Sequence, residues 1–154
     1  MVMRELRVNA VELLRQPGLV KAVAVAVPGK ELDVVHEGLA GDISIDLELH
    51  ALNDGVAVSG RVVAPWKAAC RRCLRDLSGE AVADVHELYQ VELLDEDASP
   101  IVENQIDLAP LARQIALLEL DTEHLCAEGC AGLCPVCGVD RNMTTCSCDV
   151  SVKD

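Results

Sequence analysis

The stretch ISIDLELHALNDGVAVSGRVV, Ile43 to Val63, decides the fold. From Ile43 to Leu52 apolar and polar side chains alternate, so an extended chain would turn one apolar face to a core and one polar face to water. Asn53-Asp54-Gly55 breaks the alternation, and Asp-Gly supplies the residues that tolerate the positive φ of a tight hairpin turn. Val56 to Val63 resumes the pattern as the returning strand. An antiparallel hairpin is therefore the seed from which the rest is read.

Toward the N-terminus, Val20 to Val27 (VKAVAVAV) is rich in β-branched valine and stops at Pro28-Gly29, which predicts a third strand. Leu6 to Leu14 reads as a short strand running into a helical turn, ended by Gln16-Pro17-Gly18. Toward the C-terminus come Pro65-Trp66, a C-R-R-C loop and a further extended stretch, Gly79 to Leu94. There Val82, Val85, Leu88, Val91 and Leu94 recur every three residues, which suits a helix or an irregular strand. Asp95 to Pro100 is expected to be a mobile acidic loop. From Asp107 to Leu120 the row Leu108, Leu111, Ile115 and Leu118 fits one helical face, with Asp107 as N-cap and Pro110 in the first turn.

Past Asp121 the sequence turns to Cys, Gly and short polar residues, too poor in apolar side chains to fold without a metal. The expected fold class is α+β: an antiparallel sheet that could be partly closed, one or two helices and a C-terminal zinc knuckle. Residues 1–120 form the core domain, and residues 121–154 a cysteine-rich zinc-binding tail packed on it.

The chain has 154 residues and is 51% hydrophobic, yet it holds no Phe, one Trp and one Tyr. Its core must be built from Val, Leu, Ile and Ala. RNA-recognition and single-strand-binding modules that stack bases on exposed aromatics are thereby excluded, because this chain cannot supply a set of them. Trp66 reads as a packing residue. The first residues contain no apolar run long enough for a signal peptide, and no segment offers about 18 uncharged apolar residues for a membrane span. A soluble cytoplasmic protein is expected, without membrane partners.

In that compartment thiols stay reduced, so the eight cysteines favour metal ligation over structural disulfides, redox dithiols or an iron–sulfur cluster. A C-x-x-C turn aims two thiolates at one point about 2.3 Å from each sulfur, and two such turns complete a zinc tetrahedron. Leu133-Cys134-Pro135-Val136-Cys137-Gly138 has knuckle form, and its partners are Cys146 and Cys148, brought back by a loop through Asn142. The remaining pairs, Cys70 with Cys73 and Cys126 with Cys130, are expected to form a second site that would tie the tail to mid-chain. A rival grouping joins Cys70 and Cys73 to two tail cysteines and leaves Cys126 or Cys148 spare. One or two structural zinc ions are expected.

The net charge of −13 argues against a protein that coats nucleic acid indiscriminately. That average hides an asymmetry. Arg61 to Arg75 carries five bases and no acid, whereas Asp76 to Pro110 carries ten acids and no base. The two stretches meet at the C-R-R-C loop. Lys67, Arg71, Arg72 and Arg75 are thus the candidate RNA contacts, beside an acidic flank suited to a basic partner.

No catalytic signature survives inspection. A zinc deaminase needs H-x-E with P-C-x-x-C, but His86 is followed directly by Glu87 and the order here is Cys134-Pro135-Val136-Cys137. A zincin needs H-E-x-x-H, and His86-Glu87-Leu88-Tyr89-Gln90 lacks the last ligand. Four thiolates would also close a zinc shell that catalysis keeps open. A redox dithiol or zinc-dependent enzyme using Cys70 and Cys73 is the alternative reading, and an adaptor that binds protein without touching RNA is another. His36, His50 and His124 read as surface or boundary residues, with His124 the nearest to a metal ligand.

The order of the motifs carries a resemblance. C-x-R-C-L (Cys70, Arg72, Cys73, Leu74), Glu87 with Tyr89, I-D-L-x-P (Ile106, Asp107, Leu108, Pro110), and L-C-x-x-x-C-x-G-L-C-P-x-C-G-x-x-x-N followed by C-x-C (Leu125 to Cys148) resemble the YceD family of large ribosomal RNA subunit accumulation proteins. The resemblance spans about Ile43 to Asp149. It implies a non-catalytic cytoplasmic factor in ribosome biogenesis. Its partner would be large-subunit ribosomal RNA or its precursor, with no small-molecule substrate; the acidic flank adds a basic ribosomal protein as a further expected partner.

Overall fold

The computed structural model describes residues 4–148. Its elements follow the chain as β1 (Arg7–Asn9), α1 (Val11–Arg15), β2 (Val20–Val27), a 3-10 turn (Gly29–Leu32), β3 (Ile43–Ala51), β4 (Val56–Ala69), β5 (Asp76–Gln90), β6 (Ser99–Pro100), β7 (Gln105–Asp107) and α2 (Ala109–Leu120). A five-stranded sheet has the order β2-β3-β4-β5-β6, and β1 pairs with β7 apart from it. Strands β2 to β5 form an antiparallel meander, while β5 and β6 run parallel.

The hairpin alternation becomes burial directly. Ile43, Ile45, Leu47, Leu49 and Ala51 are buried, and Ser44, Asp46 and Glu48 between them are exposed. Ala51 faces Val56 across the turn, where the Leu52 N–H donates to the carbonyl of Gly55 at 2.8 Å. On β4 the same face carries Val56, Val58, Val62 and Ala64. At Gly60 the strands crowd: at φ 143° it faces Leu47, and a Cβ there would collide with the Asp46 carbonyl oxygen. Helix α2 covers β4 and β5 with Ala112, Ala116 and Leu120, the two alanines letting the helix lie close to the sheet.

Several expectations change. The sheet is open rather than partly closed, because β6 is only two residues long and no described strand joins it to β2. The returning strand runs past Val63 to Ala69, through Pro65-Trp66, so the C-R-R-C loop sits at the far tip of a long β4–β5 hairpin. The three-residue rhythm after Gly79 belongs to strand β5 and not to a helix. In an extended chain such a rhythm puts successive apolar groups on opposite faces, and accordingly Val82 is 52% exposed and Val85 2%.

The acidic loop at Asp95 to Pro100 is pinned rather than free. The buried Gln90 side-chain oxygen accepts the N–H groups of Leu94 and Asp95, and Ser99–Pro100 pairs with Tyr89–Gln90. Asp107 lies one residue before the helix cap, which is Leu108, and its carboxylate accepts the Ala109 N–H at 3.1 Å. Among the described residues no helix is long and apolar enough to cross a membrane. The last six residues of the tail, 149–154, lie outside the described ones.

Candidate metal centres

Strand β4 delivers Cys70 at its end, and the turn Cys70 to Arg75 folds tightly enough for Cys73 to lie beside it. The Cys70 N–H donates to the Arg75 carbonyl at 2.7 Å and the Leu74 N–H to the Cys70 carbonyl at 2.9 Å, with Leu74 at φ 63°. The tail then returns to this tip. The Arg71 N–H donates to the His124 carbonyl, the Leu133 N–H to the Arg72 carbonyl, and the Cys126 N–H to the Cys70 sulfur at 3.4 Å.

Four sulfurs converge as a result. Cys70 Sγ lies 3.7 Å from Cys130 Sγ, Cys73 Sγ lies 3.6 Å from Cys126 Sγ, and all four are within 4.8 Å of one another. A tetrahedron with ~2.3 Å metal–sulfur bonds has edges of about 3.8 Å, so these separations fit a shared ion. They are far too long for a disulfide, whose S–S bond is about 2.0 Å. Cys70 is fully buried and Leu77 and Leu133 pack against the group.

The second quartet is local. Cys134, Cys137, Cys146 and Cys148 also lie within 4.8 Å of one another. The Gly138 N–H donates to the Cys134 carbonyl at 2.9 Å with Gly138 at φ 77°, and the Cys134 N–H donates to the Val139 carbonyl at 2.8 Å, which closes the knuckle turn. Thus all eight cysteines fall into two groups of four, with neither Cys126 nor Cys148 left over.

The thiols within each group are differentiated. Cys70 is held down to about 5, chiefly by the backbone N–H of Cys73 and further by those of Cys126 and Arg72, against the opposing effect of burial. Cys134 is held down to about 6 by the N–H groups of Cys137 and Val136. Cys126 is pushed up to about 12 by the neighbouring sulfurs of Cys130 and Cys73, and Cys148 to about 12 by Cys137 and by burial. Amide groups aimed at sulfur favour thiolates, and thiolates crowded together repel; a divalent cation at the centre relieves that repulsion. Each quartet can hold a metal ion, and an all-thiolate set suits zinc.

The four candidate bases are all exposed at or near the same tip. Arg71 pairs with Glu123, and Arg75 lies 3.7 Å from Asp140. The Arg72 guanidinium donates to the Cys130 carbonyl at 3.1 Å, and Lys67 makes no ion pair among the described residues. His124 is not a ligand: its ring stacks on Trp66 with centroids 3.5 Å apart and planes 10° apart. Trp66 also lies against Gly79, its cross-strand partner, where a side chain would collide with the indole.

Two residues escaped sequence reasoning. Gln90 looks like an ordinary polar strand end, and Asn142 looks like a loop residue, yet its amide reaches the Cys130 sulfur at 3.3 Å. The only signal for Asn142 was its place in the C-P-x-C-G-x-x-x-N motif, which marks the loop but not the sulfur it meets.

Residues 58–154 match the family model described as large ribosomal RNA subunit accumulation protein YceD. The chain belongs to the YceD family. The uncharacterized proteins Mb2951c of Mycobacterium bovis and Rv2926c of Mycobacterium tuberculosis are each 34% identical to it over 118 residues, covering 72% of this chain and 56% of theirs. The chain therefore spans little more than half the length of these curated relatives. No solved structure matches it significantly. The YceD description names accumulation of large-subunit ribosomal RNA and no chemical reaction, and the matched region contains both cysteine quartets and all four candidate bases.

Proposed function

We propose that this YceD protein is a non-catalytic cytoplasmic factor that supports accumulation of large-subunit ribosomal RNA, with two structural zinc ions holding its RNA-contacting tip. Cys70, Cys73, Cys126 and Cys130 hold one ion; Cys134, Cys137, Cys146 and Cys148 hold the other. The tail, residues 121–154, is a metal-dependent unit docked on the core of residues 1–120. Lys67, Arg71, Arg72 and Arg75 meet ribosomal RNA or its precursor, and the acidic flank faces a basic ribosomal protein.

The observation that carries this reading is the placement of four exposed bases around a loop that a cysteine quartet clamps. The Arg71–Glu123 and Arg75–Asp140 pairs are solvent-accessible, and such pairs contribute about 1 kcal/mol or less, so phosphate can displace them. Thiol-exchange chemistry at Cys70 would need access that its complete burial denies.

The test is binding to a large-subunit ribosomal RNA fragment over a salt series. Replacing Lys67, Arg71, Arg72 and Arg75 by Ala should weaken binding and flatten the salt dependence by roughly 0.7–0.9 per lost phosphate contact. If affinity and slope are both unchanged, the tip does not touch RNA.

A further inference from the structure

Asn142 lies in the knuckle loop between Cys137 and Cys146, yet its side chain reaches the other quartet. Its side-chain oxygen accepts the Ala131 N–H at 2.8 Å, and its amide nitrogen donates to Cys130 Sγ at 3.3 Å and to the Asp140 carboxylate at 2.9 Å. Asp140 in turn accepts the Asn142 N–H at 2.9 Å and lies 3.7 Å from Arg75 of the C-R-R-C loop. The same short segment is fixed by the knuckle: Leu133 bridges to Asp140, the Arg141 N–H donates to the Gly132 carbonyl, and the Cys134 N–H donates to Val139. Asn142 therefore follows directly on a segment that is bonded to the knuckle turn, and it touches a sulfur of the other quartet.

The two quartets differ in what their assembly costs. Cys134 to Cys148 closes a loop of 14 residues (148 − 134), whereas Cys70 and Cys130 are 60 residues apart. Loop closure is entropically cheaper for the shorter chain. The local quartet can form first, and the distant one gains from whatever the first has already ordered.

We infer that Asn142 is a positioning residue that couples the two metal centres, so that closing the knuckle quartet presents its amide to Cys130 and raises the affinity of the Cys70/Cys73/Cys126/Cys130 quartet. An N–H donated to a ligating sulfur steadies its thiolate charge and fixes its direction, and loss of such outer partners typically weakens metal binding by about 10–100-fold. Coupling between sites is reciprocal, so an ion in the distant quartet must equally strengthen the knuckle. This inference rests on the two-zinc reading above.

The test is titration of the metal-free, reduced full chain with Co2+ and Zn2+, following thiolate-to-cobalt absorption, with Cys70→Ser and Cys134→Ser variants assigning each site. Two ions bound by the unaltered chain establish the underlying reading; fewer would remove it independently of Asn142. Given two ions, Asn142→Ala should weaken the Cys70 quartet at least about tenfold while both ions still bind. Asn142→Asp should weaken it further, because the carboxylate keeps the acceptor for the Ala131 N–H but sets a negative charge against the Cys130 thiolate. On a Cys134→Ser background, Asn142→Ala should add less than about twofold, since the amide is no longer presented. An unchanged Cys70-quartet affinity in Asn142→Ala, restoration by Asp, or full additivity with Cys134→Ser would each overturn the coupling.

Discussion

Gly60 shows how one residue can be fixed by its neighbours. Its backbone lies at a positive φ against the Asp46 carbonyl, and an added methyl would collide with backbone rather than with a yielding side chain. Gly60→Ala should therefore cost more than about 1 kcal/mol in urea unfolding, combining overpacking with strain at a conformation L-residues avoid. Leu47, opposite it and 1% exposed, illustrates the complementary case. Leu47→Ala should cost about 2–5 kcal/mol by the same measurement. Tyr89 gives a pH signature, because it is the sole tyrosine and burial, with smaller contributions from Glu87 and Asp107, pushes its phenol up to about 12. A group whose folded value lies above its unfolded value of about 10 stabilises fully below that value and loses its contribution as pH rises through the folded one. Tyrosinate absorbance should thus appear near pH 12 in the folded chain, and stability should fall earlier, as pH rises from about 10 to about 12.

At the level of elements, the hairpin was legible because both of its signals are local: a period of two and an Asp-Gly turn. Strand β5 read only ambiguously, as helix or irregular strand, since its apolar residues serve two faces and their burial is decided by what packs there, Val85 in the core and Val82 in solvent. The length of β4 escaped notice for a similar reason. Pro65 and Trp66 look like a strand end, yet Trp66 pairs across the strand with Gly79 and stacks on His124, neither of them near it in sequence. Helix α2 was placed correctly in outline, but the residues that bury are Ala112 and Ala116 rather than Leu118, which is 64% exposed. Ala116→Leu should destabilise by about 1–3 kcal/mol through overpacking, while Leu118→Ala should change stability by less than about 0.5 kcal/mol. The reverse order in thermal or urea unfolding would contradict this placement of the helix.

Across the whole molecule, the knuckle motif was visible because its cysteines are close in sequence, while the company kept by Cys70 and Cys73 depends on the tail folding back over the hairpin tip. Asn142 lay beyond reach, because nothing in a single sequence marks which sulfur an amide will meet. The fold-back makes Trp66 a reporter, since His124 stacks on the only tryptophan and its carbonyl receives the Arg71 N–H. Chelation under reducing conditions should free His124 and raise Trp66 fluorescence while the sheet persists, as the core cluster is built without the cysteines. Loss of sheet and tail together on chelation would contradict a separable, metal-held tail. The most direct measurement is metal content and free thiol count on protein purified under reducing conditions. Two zinc ions per chain, with all eight thiols shielded until the metal is removed, are expected; a metal-free chain with eight reactive thiols would contradict the two-centre architecture.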